Sequence, residues 1–302
     1  MTDDLFPAFA AHWIDTEAGR IFARSGGSGP PVVLLHGFPQ THACWHRIAP
    51  ALAETHGVVC MDLRGYGWSS TPRSDAHHDP YSKRAMGRDV VAVMEQLGHV
   101  RFAVVGHDRG ARVGYRLALD EAGRVERLAL LDILPTFYVW RQINAGVIPA
   151  AHWGFLAQPY SRPEQEIGKD PLPYFDGLLA GWSGDGTLKA FDPRALASYR
   201  ASCNEPNRIH AFCEDYRAGA TVDVAADEAD LQAGRTIACP VLALWGAFYL
   251  TRGSGAQTET TLDVWRRTFA PHATGAQVSG GHFLAEEDPA GTLAALRLFL
   301  NP

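Results

Sequence analysis

The chain has 302 residues, 46% of them hydrophobic and 20% charged, with a net charge of −6; this suffices for one large core, or for one core with an inserted lid. The negative balance excludes a basic nucleic-acid surface, and because it does nothing to attract an anion, an anionic ligand would need local Arg residues to hold it. The acidic start MTDDLFPAFAAHW is not a signal peptide, no stretch approaches an apolar membrane span, and five cysteines without paired or metal-site spacing (Cys44, Cys60, Cys203, Cys213, Cys239) read as reduced thiols in a cytoplasmic protein.

Short apolar segments bounded by turn residues predict strands at residues 13–15, 21–24, 31–36, 58–62, 102–106 and 127–132, with helical patterns between them at 46–55, 83–97 and 110–119. Such alternation predicts an α/β fold, a mostly parallel sheet with helices on both faces. From Pro135 to Gly234 the strands give way to aromatic, Pro-rich and helix-like sequence; strand signals resume at 241–245 and 276–278, and a final helix covers 284–300. The simplest organisation is a core of residues 1–134 and 235–302, with an α-helical cap of residues 135–234 inserted after the sixth strand. Such an insertion lies at the carboxyl edge of the sheet, where α/β proteins bind ligands. The sequence has no internal repeat.

The stretch Val104-Val105-Gly106-His107-Asp108-Arg109-Gly110-Ala111-Arg112 runs an apolar strand through Gly-x-Asp-x-Gly into a helix. It has the form of a nucleophile elbow, Gly-x-Ser-x-Gly, with Asp in place of Ser. A lone Asp before a helix is commonly an N-cap. Here the flanking glycines suit a strained turn, and an ionised carboxylate is a nucleophile that needs no base. The helix N-terminus and Arg109 both favour that ionised form.

Three other motifs share its frame: His36-Gly37-Phe38-Pro39 after the third strand, Asp62-Leu63-Arg64-Gly65-Tyr66-Gly67-Trp68-Ser69 after the fourth, and Gly280-Gly281-His282-Phe283 after the last. In order and spacing the four resemble the α/β-hydrolase superfamily, in its branch of dehalogenases and epoxide hydrolases, over nearly the whole chain. The resemblance implies an eight-stranded sheet, His282 as the base that activates water, and an oxyanion hole from the amides of Phe38 and Arg109. The acid that orients His282 is expected at Asp132, which ends a strand beside Asp108. The alternative loop, Trp245-Gly246-Ala247-Phe248-Tyr249-Leu250, holds no acid before Glu259. It is also bulkier than the short polar loop common there, which bears on substrate size. His36 and His107 are expected to bond to loops, and His77-His78 to be solvated.

Haloalkane dehalogenases and epoxide hydrolases usually carry Trp after the nucleophile, where this chain has Arg109. Arg112 lies one turn on and shares its helix face. Two guanidinium groups suit a small carboxylate substrate, unless one or both pair with acids of the lid or surface. The cap segments Ala151-His152-Trp153 and Cys213-Glu214-Asp215-Tyr216-Arg217-Ala218-Gly219 resemble those of fluoroacetate dehalogenases. The resemblance makes His152, Trp153 and Tyr216 donors to a departing halide. It implies a haloacid substrate, no metal or organic cofactor, and a homodimer. The alternative reaction, epoxide hydrolysis with the same Asp–His–Asp set, would pair Tyr216 with Tyr138, Tyr160 or Tyr174. A non-catalytic relative would be expected to lack the triad.

Overall fold

The computed structural model describes residues 4–149, 151–247 and 259–301. Eight strands form one sheet: β1 (Ala10–Thr16), β2 (Gly19–Gly26), β3 (Pro31–Leu35), β4 (Gly57–Met61), β5 (Phe102–His107), β6 (Val125–Leu131), β7 (Val241–Gly246) and β8 (Thr274–Val278), in the order β1-β2-β4-β3-β5-β6-β7-β8. β1 pairs antiparallel with β2, and β2 with β4; every other pairing is parallel. Strands β3 to β6 are almost wholly apolar because helices cover both sheet faces. Alternate residues feed two cores: Val33, Leu35, Met61, Val104 and Leu128 on one face, Val32, Leu34, Val58, Val105 and Ala129 on the other.

Helices α1 (Ala49–Leu52), α2 (Lys83–Gln96) and α3 (Arg109–Asp120) fall between strands in the first half of the chain. Between β6 and β7 the chain is helical, from α4 (Thr136–Asn144) through α5 (Ala151–Leu156), α6 (Arg162–Gly168), α7 (Pro171–Trp182), α8 (Pro193–Cys203) and α9 (Pro206–Ala218) to α10 (Val224–Gln232). Prolines open α6 to α9, where a missing N–H costs nothing. This inserted run occupies the span expected for a cap. After β7 come α11 (Thr261–Arg267), β8, α12 (Leu284–Glu287) and α13 (Pro289–Leu300).

Two predicted helices differ from the structure. The helix expected at 46–55 shrinks to α1, preceded by a 3-10 turn at His42–Trp45, because Pro50 sits at its start. The helix expected at 284–300 is broken at Asp288-Pro289: Asp288 leaves helical geometry and its carboxylate caps the Gly291 amide at 2.9 Å. Among the described residues no helix is long and apolar enough to cross a membrane.

Strand β5 turns into α3 at Asp108, whose φ of 45° and ψ of −115° lie outside the basins an L residue prefers. The turn closes only with glycine on either side. A Cβ on Gly110 would sit 2.3 Å from the Leu35 carbonyl oxygen, and one on Gly106 would sit 2.5 Å from the Ala111 Cα. Gly110→Ala is therefore expected to destabilise by about 3 kcal/mol, read as a fall of several degrees in Tm. Gly123→Ala, where nothing lies within 4 Å of the added Cβ, should leave Tm unchanged; equal Tm values for the two variants would refute the close-packed elbow.

Candidate active site

The carboxyl ends of β3, β5 and β6 and the turn after β8 bring Phe38, Asp108, Asp132 and His282 together. All four are buried. His282 Nδ1 lies 2.6 Å from Asp132 Oδ2, and the other oxygen of Asp132 accepts from the Gly246 amide at 2.9 Å. With Nδ1–H donating to Asp132, the lone pair of His282 Nε2 faces Asp108, whose Oδ2 is 3.8 Å away. The Asp132 backbone is also left-handed, with φ of 55°, and its amide donates to the Leu244 carbonyl at 2.7 Å. The alternative acid position falls on residues 248–258, outside the described residues, as do the bulky residues Phe248 to Thr251.

Asp108 Oδ1 accepts from the Phe38 amide at 3.0 Å, and the Arg109 amide opens α3, where the first N–H groups lack helical partners. Burial raises the Asp108 pKa, but His282, Arg112 and Arg109 outweigh it and hold the carboxyl below the ordinary range. The Phe38 ring packs against Phe175, Phe212 and Tyr216 while its amide faces Asp108. His107 Nε2 contacts the His282 carbonyl at 2.8 Å, and burial first, then His282, push its pKa down to about 3. It is thus a neutral donor that braces the turn carrying His282. His36 bridges loops as expected, accepting from the Leu63 amide at 3.1 Å while its other ring nitrogen bonds the Gly37 carbonyl.

The two arginines differ. Arg109 is held by the cap: its Nε donates to Asp215 Oδ2 at 3.1 Å and its Nη2 to Asp215 Oδ1 at 2.5 Å. Arg112 Nη1 donates to the Leu134 carbonyl and Thr136 Oγ1, each at 3.0 Å. Arg109 Nη1 and Arg112 Nε are buried, and no acceptor among the described residues reaches either. Both guanidinium groups face Trp153, at 5.6 and 4.5 Å, and Arg109 also lies 4.3 Å from the Tyr216 ring.

His152, Trp153 and Tyr216 form one aromatic cluster with ring centroids 5.6–6.3 Å apart, and Tyr216 stands 5.3 Å from Phe38. Burial pulls the His152 pKa down to about 3 against the pull of Asp108, so it presents a neutral ring. Of the other tyrosines considered, Tyr138 donates to Glu259, Tyr160 is exposed, and Tyr174 packs on Phe155 and Phe175.

Three residues carry no role in the sequence reading. Trp182 lies 4.4 Å from the His152 ring, and its carbonyl accepts from the His282 amide at 2.9 Å. Asp215 sits inside a quoted motif, and Lys83 joins it. The aromatic run of α7 hints at Trp182; nothing local marks Lys83. His78 departs from expectation: it is half-buried and its Nδ1 lies 2.7 Å from Glu214 of the cap.

The description "alpha/beta hydrolase fold" matches residues 30–289. The chain belongs to the α/β-hydrolase family. It is 42% identical over 301 residues to fluoroacetate dehalogenase of Burkholderia sp, covering 98% of this chain and 95% of that one. It is 32% identical to soluble epoxide hydrolase of Corynebacterium sp. (strain C12), covering 92% of each. A solved α/β-hydrolase-type structure from Nostoc sp PCC 7120 is 47% identical, with a TM-score of 0.91, covering 98% of this chain and 99% of that one.

Imidazoles held neutral in the fold make stability depend on pH. His107 and His152 have folded pKa values of about 3, below the unfolded 6.5. The unfolded state therefore binds more protons between those values, and stability present above pH 6.5 is lost on acidification, at up to about 1.4 kcal/mol per pH unit per group. Urea unfolding between pH 7.5 and 4.5 should show this loss, with a shallower slope for His107→Gln. An unchanged slope would mean His107 does not stay neutral in the folded protein.

Proposed function

We propose that this enzyme is a hydrolytic dehalogenase acting on small 2-haloacids, with fluoroacetate the leading candidate substrate and glycolate plus halide the products. The observation that carries the reading is that Arg109 Nη1 and Arg112 Nε are buried without an acceptor among the described residues, beside an ionised Asp108. Burying unsatisfied guanidinium donors is costly unless a ligand supplies acceptors, and a carboxylate fits both. The 42% identity to fluoroacetate dehalogenase supports the same reading.

Arg109 and Arg112 hold the substrate carboxylate. Asp108 Oδ2 attacks the carbon bearing the halogen from the side opposite the halogen. The carbon–oxygen bond forms as the carbon–halogen bond breaks, and halide departs with the electron pair. Fluoride is a poor, strongly basic leaving group, and donors from His152, Trp153 and Tyr216 offset its developing charge. His282, oriented by Asp132, then takes a proton from water, and the hydroxide adds to the ester carbonyl carbon of Asp108. Oδ1 becomes the oxyanion facing the Phe38 and Arg109 amides, whose donors are worth roughly 3 kcal/mol each. Collapse releases glycolate, the proton returning from His282 to the departing oxygen.

Purified protein with fluoroacetate should release fluoride at an ion-selective electrode, while Asp108→Asn releases none. Absence of fluoride from folded parent protein, with turnover of an epoxide instead, would replace this reading with epoxide hydrolysis. That second reading is favoured by Tyr216 over the site and by the Corynebacterium relative.

His282→Gln separates the two half-reactions. The variant should release about one halide per active site and stop, with the ester trapped on Asp108 and visible by mass spectrometry of the peptide. Sustained turnover by this variant would remove His282 from the hydrolytic step.

A further inference from the structure

The geometry points to Asp215 as the residue that positions Arg109 for the substrate carboxylate, an inference that rests on the haloacid reading above. A guanidinium carries five N–H hydrogens in a rigid fork. Asp215 engages three: its carboxylate takes Nε–H and one Nη2–H, and its carbonyl takes the second Nη2–H at 2.7 Å. What remains for a ligand is Nη1, buried and without an acceptor among the described residues. The plane of Arg109 is thus fixed with a single face of the fork on offer.

Asp215 is itself fixed by two further residues that share its carboxylate oxygens with Arg109. Tyr66, in the loop after β4, donates to Oδ2 at 2.8 Å. Lys83, at the first position of α2, bonds Oδ1 and also lies 3.6 Å from Asp223. All three side chains are buried. The next residue is Tyr216, whose ring stacks on the same guanidinium at 4.3 Å. One turn of α9 therefore sets Arg109 and presents a halide-facing Tyr together, so carboxylate anchor and halide donor are aligned by a single cap element. Asp215 touches no reacting atom in this scheme; it acts through Arg109.

The test compares Asp215→Asn, Lys83→Gln and Arg109→Gln with the parent protein, using chloroacetate as substrate and acetate as a carboxylate without a leaving group. Asp215→Asn should raise KM for chloroacetate and the inhibition constant of acetate about tenfold or more, with kcat at saturation within about threefold. In the Arg109→Gln background it should add nothing further. Lys83→Gln loosens Asp215 but leaves the fork on Arg109 intact, and should shift both constants in the same direction by clearly less than Asp215→Asn does, about threefold.

Unchanged constants in Asp215→Asn, or equal shifts in Asp215→Asn and Lys83→Gln, would overturn the positioning role and leave only a clamp between cap and core. If the Asn variant does not fold, arginine-15N-labelled parent protein answers the question: acetate should shift the Arg109 Nη1 signal and leave Nε in place, and the reverse pattern refutes the assignment. Failure of the parent to bind acetate or release halide would strike the haloacid reading itself, whereas a parent active on chloroacetate with an indifferent Asp215→Asn strikes only this inference.

Discussion

The whole site depends on keeping one carboxylate ionised where water is scarce. Desolvating a carboxylate costs several kcal/mol even after relaxation, and the strained backbone of Asp108 adds about 1–3 kcal/mol. The fold offsets both locally. The Phe38 amide donates to one oxygen, and two guanidinium groups lie close enough to hold the pKa down against burial. None of these groups can be reached from a helix N-cap without the tight turn that Gly106 and Gly110 permit, so the strain is the condition for the electrostatics.

The same economy of charge shapes the seam between core and cap. Its contacts are directional: Asp215 with Arg109 and Lys83, Arg116 with Asp230, and Tyr115 with Asp227 at 2.7 Å. A greasy seam would let the cap slide, whereas buried ion pairs lose more from a wrong register than from none. Register matters here because Tyr216 must stand over Phe38, and the neighbouring Asp215 must meet Arg109. The π-turn at Gly219–Asp223 follows directly, and it places Asp223 where the Lys83 amide donates to its carboxylate at 2.8 Å.

Much of this was legible in the sequence, for definable reasons. The strands announce themselves as apolar runs between turn residues, and the elbow is visible because Gly-x-Asp-x-Gly leaves few conformations open. Asp132 could be chosen because a strand end fixes where its side chain emerges. Local pattern fails where a partner is distant. Lys83 and Asp215 are separated by 132 residues, His78 and Glu214 by 136, and no periodicity encodes such a meeting. The helix at 46–55 was over-read because apolar spacing outlasts the backbone geometry that Pro50 allows. The break at Asp288-Pro289 was under-weighted although both residues signal a new helix start.

In the proposed haloacid reaction the two arginines, alike in sequence, would divide the work of recognising an anion. Arg109 has a counter-charge in Asp215, which it shares with Lys83 and which raises its pKa in spite of burial. Among the described residues Arg112 has no carboxylate within ion-pair distance: it donates to a carbonyl and a hydroxyl, and burial followed by the proximity of Arg109 lowers its pKa. An uncompensated cation stacked 4.5 Å from Trp153 is stabilised mainly by Asp108, the group that must become a neutral ester during the reaction. As that ester forms, the negative charge on Asp108 vanishes, and a bound carboxylate is what keeps Arg112 paired. In the proposed reaction the substrate anion therefore holds the site in electrostatic balance through the step that consumes the charge of Asp108, which a neutral substrate cannot do. This separates a haloacid enzyme from its epoxide-opening relatives more sharply than the triad they share.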